Sequence, residues 1–121
     1  MRGIAAYKNV SLESSDQRKL VVMCFEALIR RHKQAKAAQN AGKYVKAAED
    51  LRVAREIYCE LLVGLDHDAA PEMTTNLAGL YHYCIRELTQ AGHNTDGEHI
   101  ENSLVVTERL CRGFQEAFGV E

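Results

Sequence analysis

Apolar residues in this chain return every three or four positions, and β-branched or aromatic residues never alternate with polar ones over the length of a strand. That period admits helices and little else. One stripe comprises Tyr44, Ala47, Ala48, Leu51, Tyr58, Leu61, Leu62 and Leu65; a second Met73, Leu77, Leu80, Tyr81, Cys84 and Leu88; a third Ile100, Leu104, Cys111, Phe114 and Phe118. Each gives one helix a single apolar face. The breaks fall where helix-ending residues stand, which predicts long helices over 15–41, 43–66, 71–91 and 96–118 after a short segment over 3–12.

The boundaries have local chemistry behind them. Ser14 with Gln17 forms a capping box for the first long helix, and Asp16 is a second candidate cap. Gly42 suits a left-handed helix end, and Lys43 restarts the chain so soon that the neighbouring helices are expected to be antiparallel. Pro71 fits a first turn, where its missing N–H has no partner, and Glu72 faces the positive helix end. Gly92 closes that helix, and Thr95 with Glu98 forms a capping box for the last one. The fold class expected is all-α: an antiparallel up-down-up-down four-helix bundle in one domain over 1–121, with 1–13 as a mobile helical arm. Its centre is expected around Leu51, Leu62, Leu77, Leu80 and Leu104.

The first long helix breaks the one-face rule. Leu20, Met23, Cys24, Ala27 and Leu28 fill one side, read as the inner one, while Val22, Phe25 and Ile29 fill nearly the opposite side. Val53 and Ile57 add a lesser second stripe on the next helix, and Ile85 an apolar residue at the edge of the third. Two readings follow: neighbours cover this helix on both sides, or Val22, Phe25, Ile29, Val53, Ile57 and Ile85 line a groove for a partner helix. In the arm, Ile4, Tyr7 and Val10 recur at three-residue spacing on a segment too short to be stable alone. It is expected to dock as a permanent cap or as a detachable lid.

Chemistry-bearing patterns are missing. No Glu is followed by His three residues on, as a di-iron or di-manganese bundle requires, and His32, His67, His82, His93 and His99 are scattered. Asp66-His67-Asp68 reads as a solvated turn. Neither a phosphate-binding glycine loop nor a nucleophile with its base is present, so no catalytic residue, metal or cofactor is assigned. A net charge of −2 gives no field for polyanions, and Arg30, Arg31, His32, Lys33 and Lys36 spread around their helix without interleaved aromatics. Nucleic acid and membrane insertion are therefore not expected. Cys24, Cys59, Cys84 and Cys111 form no close pair and read as reduced thiols of a cytoplasmic protein.

Read together, Tyr7 in the arm, the apolar first long helix, Asn76-Leu77 followed by Leu80-Tyr81-His82-Tyr83, and a last helix opening after Asp96 resemble the flagellin export chaperones, the FliS family, from Ala6-Tyr7 to Phe118. Cys24-Phe25 stands where members characteristically have Leu-Tyr, Gln17 and Lys19 where they often carry Pro and Glu, and Phe114 where they carry Trp. The resemblance implies a non-enzymatic cytoplasmic chaperone, monomeric or weakly dimeric. It would hold the C-terminal helical segment of flagellin, prevent premature polymerisation and support type III export, with the export apparatus as a further partner. It also implies that Ile4 and Tyr7 of the arm lie over the client groove. Two other classes compete. Gly42-Lys43-Tyr44 with Ala47 resembles part of a tetratricopeptide hairpin, hence a generic helical interaction scaffold, but it does not recur at 34 residues. An enzyme working in a bundle pocket would require converging titratable groups.

Overall fold

The computed structural model describes Tyr7 and residues 15–120. Four helices account for most of that length: α1 (Ser15–Asn40), α2 (Tyr44–Val63), α3 (Pro71–Ala91) and α4 (Glu98–Phe118). Strand pairing among the described residues is limited to one bridge, between Tyr7 and Leu65. Apart from Tyr7, the expected arm segment over 3–12 lies outside the described residues, as do the Ser14 cap, Ile4 and Val10.

The turn chemistry works largely as the residue types dictate. Gly42 takes φ +72°, the left-handed conformation that ends α1, and the Lys43 N–H returns to the Ala38 carbonyl at 2.8 Å. Pro71 occupies the first turn of α3. Between them Asp66 accepts from the Asp68 and Ala69 N–H groups at 3.2 Å each, an Asx turn and not a ligand set. The start of α4 departs from expectation. Thr95 does not cap it; the chain turns at Gly97, φ +86°, and Asp96 accepts from the Glu98 N–H at 2.9 Å. The left-handed turn at Gly97 moves the helix start to Glu98, beyond the reach of the Thr95 hydroxyl.

Each helix has two principal neighbours, α1 and α3 each packing against both α2 and α4, so the four form a ring around one core. Pairs between α1 and α4 run in opposite chain order: His32 meets Ser103, and Lys36 meets Glu101. The interior holds Phe25, Leu28, Leu51, Ala54, Tyr58, Tyr81, Cys84, Leu88 and Ile100, all essentially buried. Burial of this kind stabilises by about 25 cal/mol per Å² of apolar surface removed from water.

Two expected features are corrected. Leu80 is 40% exposed and Leu62 only partly buried, whereas Leu51, Leu77 and Leu104 are interior. The buried line of α3 runs Thr74, Leu77, Tyr81, Cys84, Leu88, Ala91, and Leu80 stands about 100° round from Tyr81. The two sides of the first third of α1 are also exchanged. Leu20 and Met23 are 58% and 56% exposed, while Val22 and Phe25 are buried. Both sides are apolar there, so hydrophobicity cannot set the phase; aromatic packing does, with Phe25 stacked on Phe114 at 5.2 Å between ring centroids and tilted against Tyr81 at 6.2 Å.

Candidate binding groove

Along α3 and α4 the interior cluster opens to solvent. Met73, Leu77 and Leu80 on one helix face Val106, Leu110, Gly113, Phe114 and Ala117 on the other, with Arg109 as the one charged side chain in the wall, around a cavity of about 490 Å³. Its origin lies in the period of α4. The positions Val106, Leu110, Gly113 and Ala117 form a second apolar stripe beside the core stripe of Thr107, Cys111, Phe114 and Phe118, so α4 presents more apolar width than the bundle covers. That second stripe is legible at spacings of three and four, and sequence reasoning missed it by following only the core line.

Phe114 is shared between the groove and the aromatic cluster behind it. Besides Phe25, its ring meets Phe118 at 5.4 Å and Tyr7 at 5.6 Å. Tyr7 is itself an interior residue: its hydroxyl hydrogen-bonds that of Tyr81, its backbone bridges to Leu65, and Tyr58 adjoins Tyr81 at 5.4 Å. Burial pushes the Tyr7, Tyr58 and Tyr81 phenols well above the ordinary tyrosine range, so all three are neutral.

The six residues expected to line a client groove are not brought together. Val22 and Phe25 are interior and present no surface in this conformation. Ile29 lies partly buried beside a separate small cleft with Glu26, Glu108, Cys111 and Arg112, between α1 and α4. Val53 and Ile57 are partly buried and follow Asp50 by three and seven residues, on the side of α2 that reaches Arg31 of α1. Ile85 is partly buried on α3, on the flank away from Leu80. Of the lid residues, Tyr7 is described and acts as a plug in the aromatic cluster.

Other polar features are structural in geometry. His32, fully buried, donates from Nδ1 to the Leu28 carbonyl at 2.6 Å and accepts at Nε2 from the Ser103 hydroxyl at 2.7 Å. Burial holds its pKa below the usual histidine range, so the ring is neutral. The chain continues: Thr107 donates to the Ser103 carbonyl at 2.8 Å, and the Tyr58 hydroxyl donates to Thr107. Near the other end of α3, the Glu87 carboxylate pairs with His99, and that bond raises the histidine pKa. A shallower recess at the start of α2 is lined by Lys43, Lys46, Glu49, Arg52 and Arg55, and its charges are partly neutralised: Arg52 pairs with Glu49 and Glu56 at 2.5 Å. No group of three or more His, Cys, Asp or Glu residues placed to hold a metal ion occurs among the described residues. No described helix is long and apolar enough to cross a membrane.

The family model described as "Flagellar protein FliS" matches residues 1–121. The chain belongs to the FliS family. Among curated relatives it is similar to the "Flagellar secretion chaperone FliS" of Salmonella typhimurium, 36% identical over 121 residues, covering 96% of this chain and 87% of the relative. The protein of the same name from Vibrio cholerae serotype O1 is 30% identical over 91% of this chain and 85% of the relative. That from Escherichia coli is 30% identical over 96% and 89%. The helical bundle, its apolar groove and the Tyr7 plug are thus features of a FliS-family flagellar secretion chaperone.

Proposed function

We propose that this FliS-family chain holds the C-terminal segment of flagellin in the cytoplasm, with the α3/α4 groove as its main apolar contact. The single observation that carries the reading is that groove: an open apolar cleft on a chain of this family, with neither a metal cluster nor a nucleophile and base at its walls. A segment that is disordered alone and helical when assembled has an exposed apolar stripe, and covering that stripe prevents premature polymerisation. Affinity then comes from apolar burial against Met73, Leu80, Val106 and Leu110, and the chaperone acts by binding, without a catalytic step or cofactor. Phe25 supports the groove from behind, through Phe114. Tyr7 sets the same wall from the arm, and the export apparatus receives the complex.

Purified flagellin mixed with this chain and resolved by size-exclusion chromatography tests the reading. Co-elution is expected with full-length flagellin and is lost when flagellin's C-terminal segment is removed. Equal co-elution of the truncated flagellin would contradict it.

A further inference from the structure

The seam between α1 and α2 lies across the ring of helices from the α3/α4 groove, and it carries apolar surface that the core does not use. On α1, Leu20 and Met23 are more than half exposed, with Cys24 and Ala27 half-buried beside them; on α2, Val53 and Ile57 are half-buried on the flank toward α1. These form one surface. Because Arg31 meets Asp50 and the two helices run in opposite directions, Cys24 stands level with Ile57 and Ala27 level with Ala54, next to Val53. Burial, and after it the Glu60 carboxylate, raise the Cys24 thiol, which puts Glu60 on the same surface. The rims of the seam carry opposite charge: Lys19 and Arg30 are exposed on α1, Glu49, Glu56 and Glu60 on α2. Among the described residues Lys19, Arg30 and Glu60 have no ion pair, and Glu49 and Glu56 pair with Arg52 alone.

We propose that the α1/α2 face binds a second copy of this chain, about a two-fold axis parallel to the helices. A surface with an apolar centre, a basic rim on one side and an acidic rim on the other is complementary to itself under that operation, which lays α1 of each copy antiparallel over α2 of the other. Lys19 then falls within two residues, about 3 Å along the axis, of the level of Glu60 in the second copy, and Arg30 within the same distance of Glu49. A two-fold axis across the helices instead sets α1 on α1 and opposes like charges, so charge selects the first arrangement. From Lys19 to Arg30 the face runs about 17 Å, and two helices make it about 20 Å wide. That is smaller than the roughly 800 Å² per partner of a standard interface, so the dimer is weak and concentration-dependent. Both α3/α4 grooves stay open in it, since they lie on the far sides of the two bundles.

Sedimentation equilibrium of the full chain from about 10 µM to about 1 mM tests this, a range set for a weak interface. Monomer is expected at the low end and dimer at the high end. Met23→Asp, at an exposed position, should weaken the dimer at least tenfold with helix content unchanged. Two charge variants separate the proposed arrangement from any other apolar contact. Lys19→Glu with Arg30→Glu makes both rims acidic, and Glu49→Lys with Glu60→Lys makes both basic. Each is expected to self-associate at least tenfold more weakly than the unmodified chain, and a mixture of the two should pair, because mixing restores opposite charge at both contacts. A chain that stays monomeric at about 1 mM, where even a weak interface is populated, would assign the face to a different partner and overturn the proposal. So would a dimer that survives Met23→Asp, or charge variants that fail to pair with each other.

Discussion

Arg31 and Lys46 reach the buried carboxylate of Asp50 at 2.9 Å and 2.7 Å, tying α1 to α2. Both cations keep contact with water while Asp50 has none, so the two ways of breaking the cluster differ. Replacing Arg31 and Lys46 by Met strands a buried charge and is expected to cost about 3–5 kcal/mol. Asp50→Asn leaves two cations that water can solvate, and the loss should be nearer 1–3 kcal/mol. Urea unfolding of both variants checks the order; a larger loss for Asp50→Asn would contradict it. His32 makes stability depend on pH. Its pKa is lowered in the fold, and unfolded it lies near 6.5, so below about pH 6.5 the unfolded chain takes up a proton that the folded chain refuses. Its contribution is therefore complete above that pH and is lost as pH falls toward the folded value. His99 works oppositely: raised by Glu87, it adds stability that is complete below about pH 6.5 and lost as pH rises through its folded value. Urea midpoints between pH 7.5 and 5 should fall less steeply for His32→Gln, and more steeply for His99→Gln, than for the unmodified chain.

At the scale of elements, α2 and α3 were legible because one face of each is apolar and their ends carry Gly42, Pro71 and Gly92. Phase was less legible than extent. Leu80 reads as core from its spacing to Leu77 and Leu88, yet it lies on the shoulder of the buried arc, where a period of 3.6 cannot separate interior from rim. On α1 the ambiguity is complete, since both sides near Phe25 are apolar and the partner rings that choose between them lie 56 and 89 residues away, at Tyr81 and Phe114. His32 deepens it: a charged-looking residue at 0% exposure hides the continuation of the Leu28 face, and its burial depends on two partners, the Leu28 carbonyl of its own helix and Ser103 on another. Large-to-small substitutions distinguish the two kinds of leucine. Leu51→Ala should cost about 2–5 kcal/mol by transfer and cavity loss. Leu80→Ala, at a solvent-facing position, should cost below about 1.5 kcal/mol in urea unfolding, and a loss as large as that for Leu51 would return Leu80 to the core.

For the whole molecule, the arm and the groove meet at Phe114. Tyr7 buries its ring against Phe114 and shares a hydrogen bond with Tyr81, so removing residues 1–10 deletes part of the core as well as any cover. The truncated chain is expected to lose about 1.5–3 kcal/mol, the value of one buried aromatic side chain, measured by its urea midpoint. An unchanged midpoint would make the arm a loose lid. The apolar groove gives client binding a particular signature: affinity should change little between low and moderate salt, because apolar burial outweighs Arg109, the one charged side chain in the wall. The groove itself is tested most directly by titrating a peptide of flagellin's C-terminal segment into the unmodified chain and into Leu110→Asp by calorimetry. The account predicts saturable binding to the first and none to the second at equal helix content, and full binding by a folded Leu110→Asp chain would contradict it.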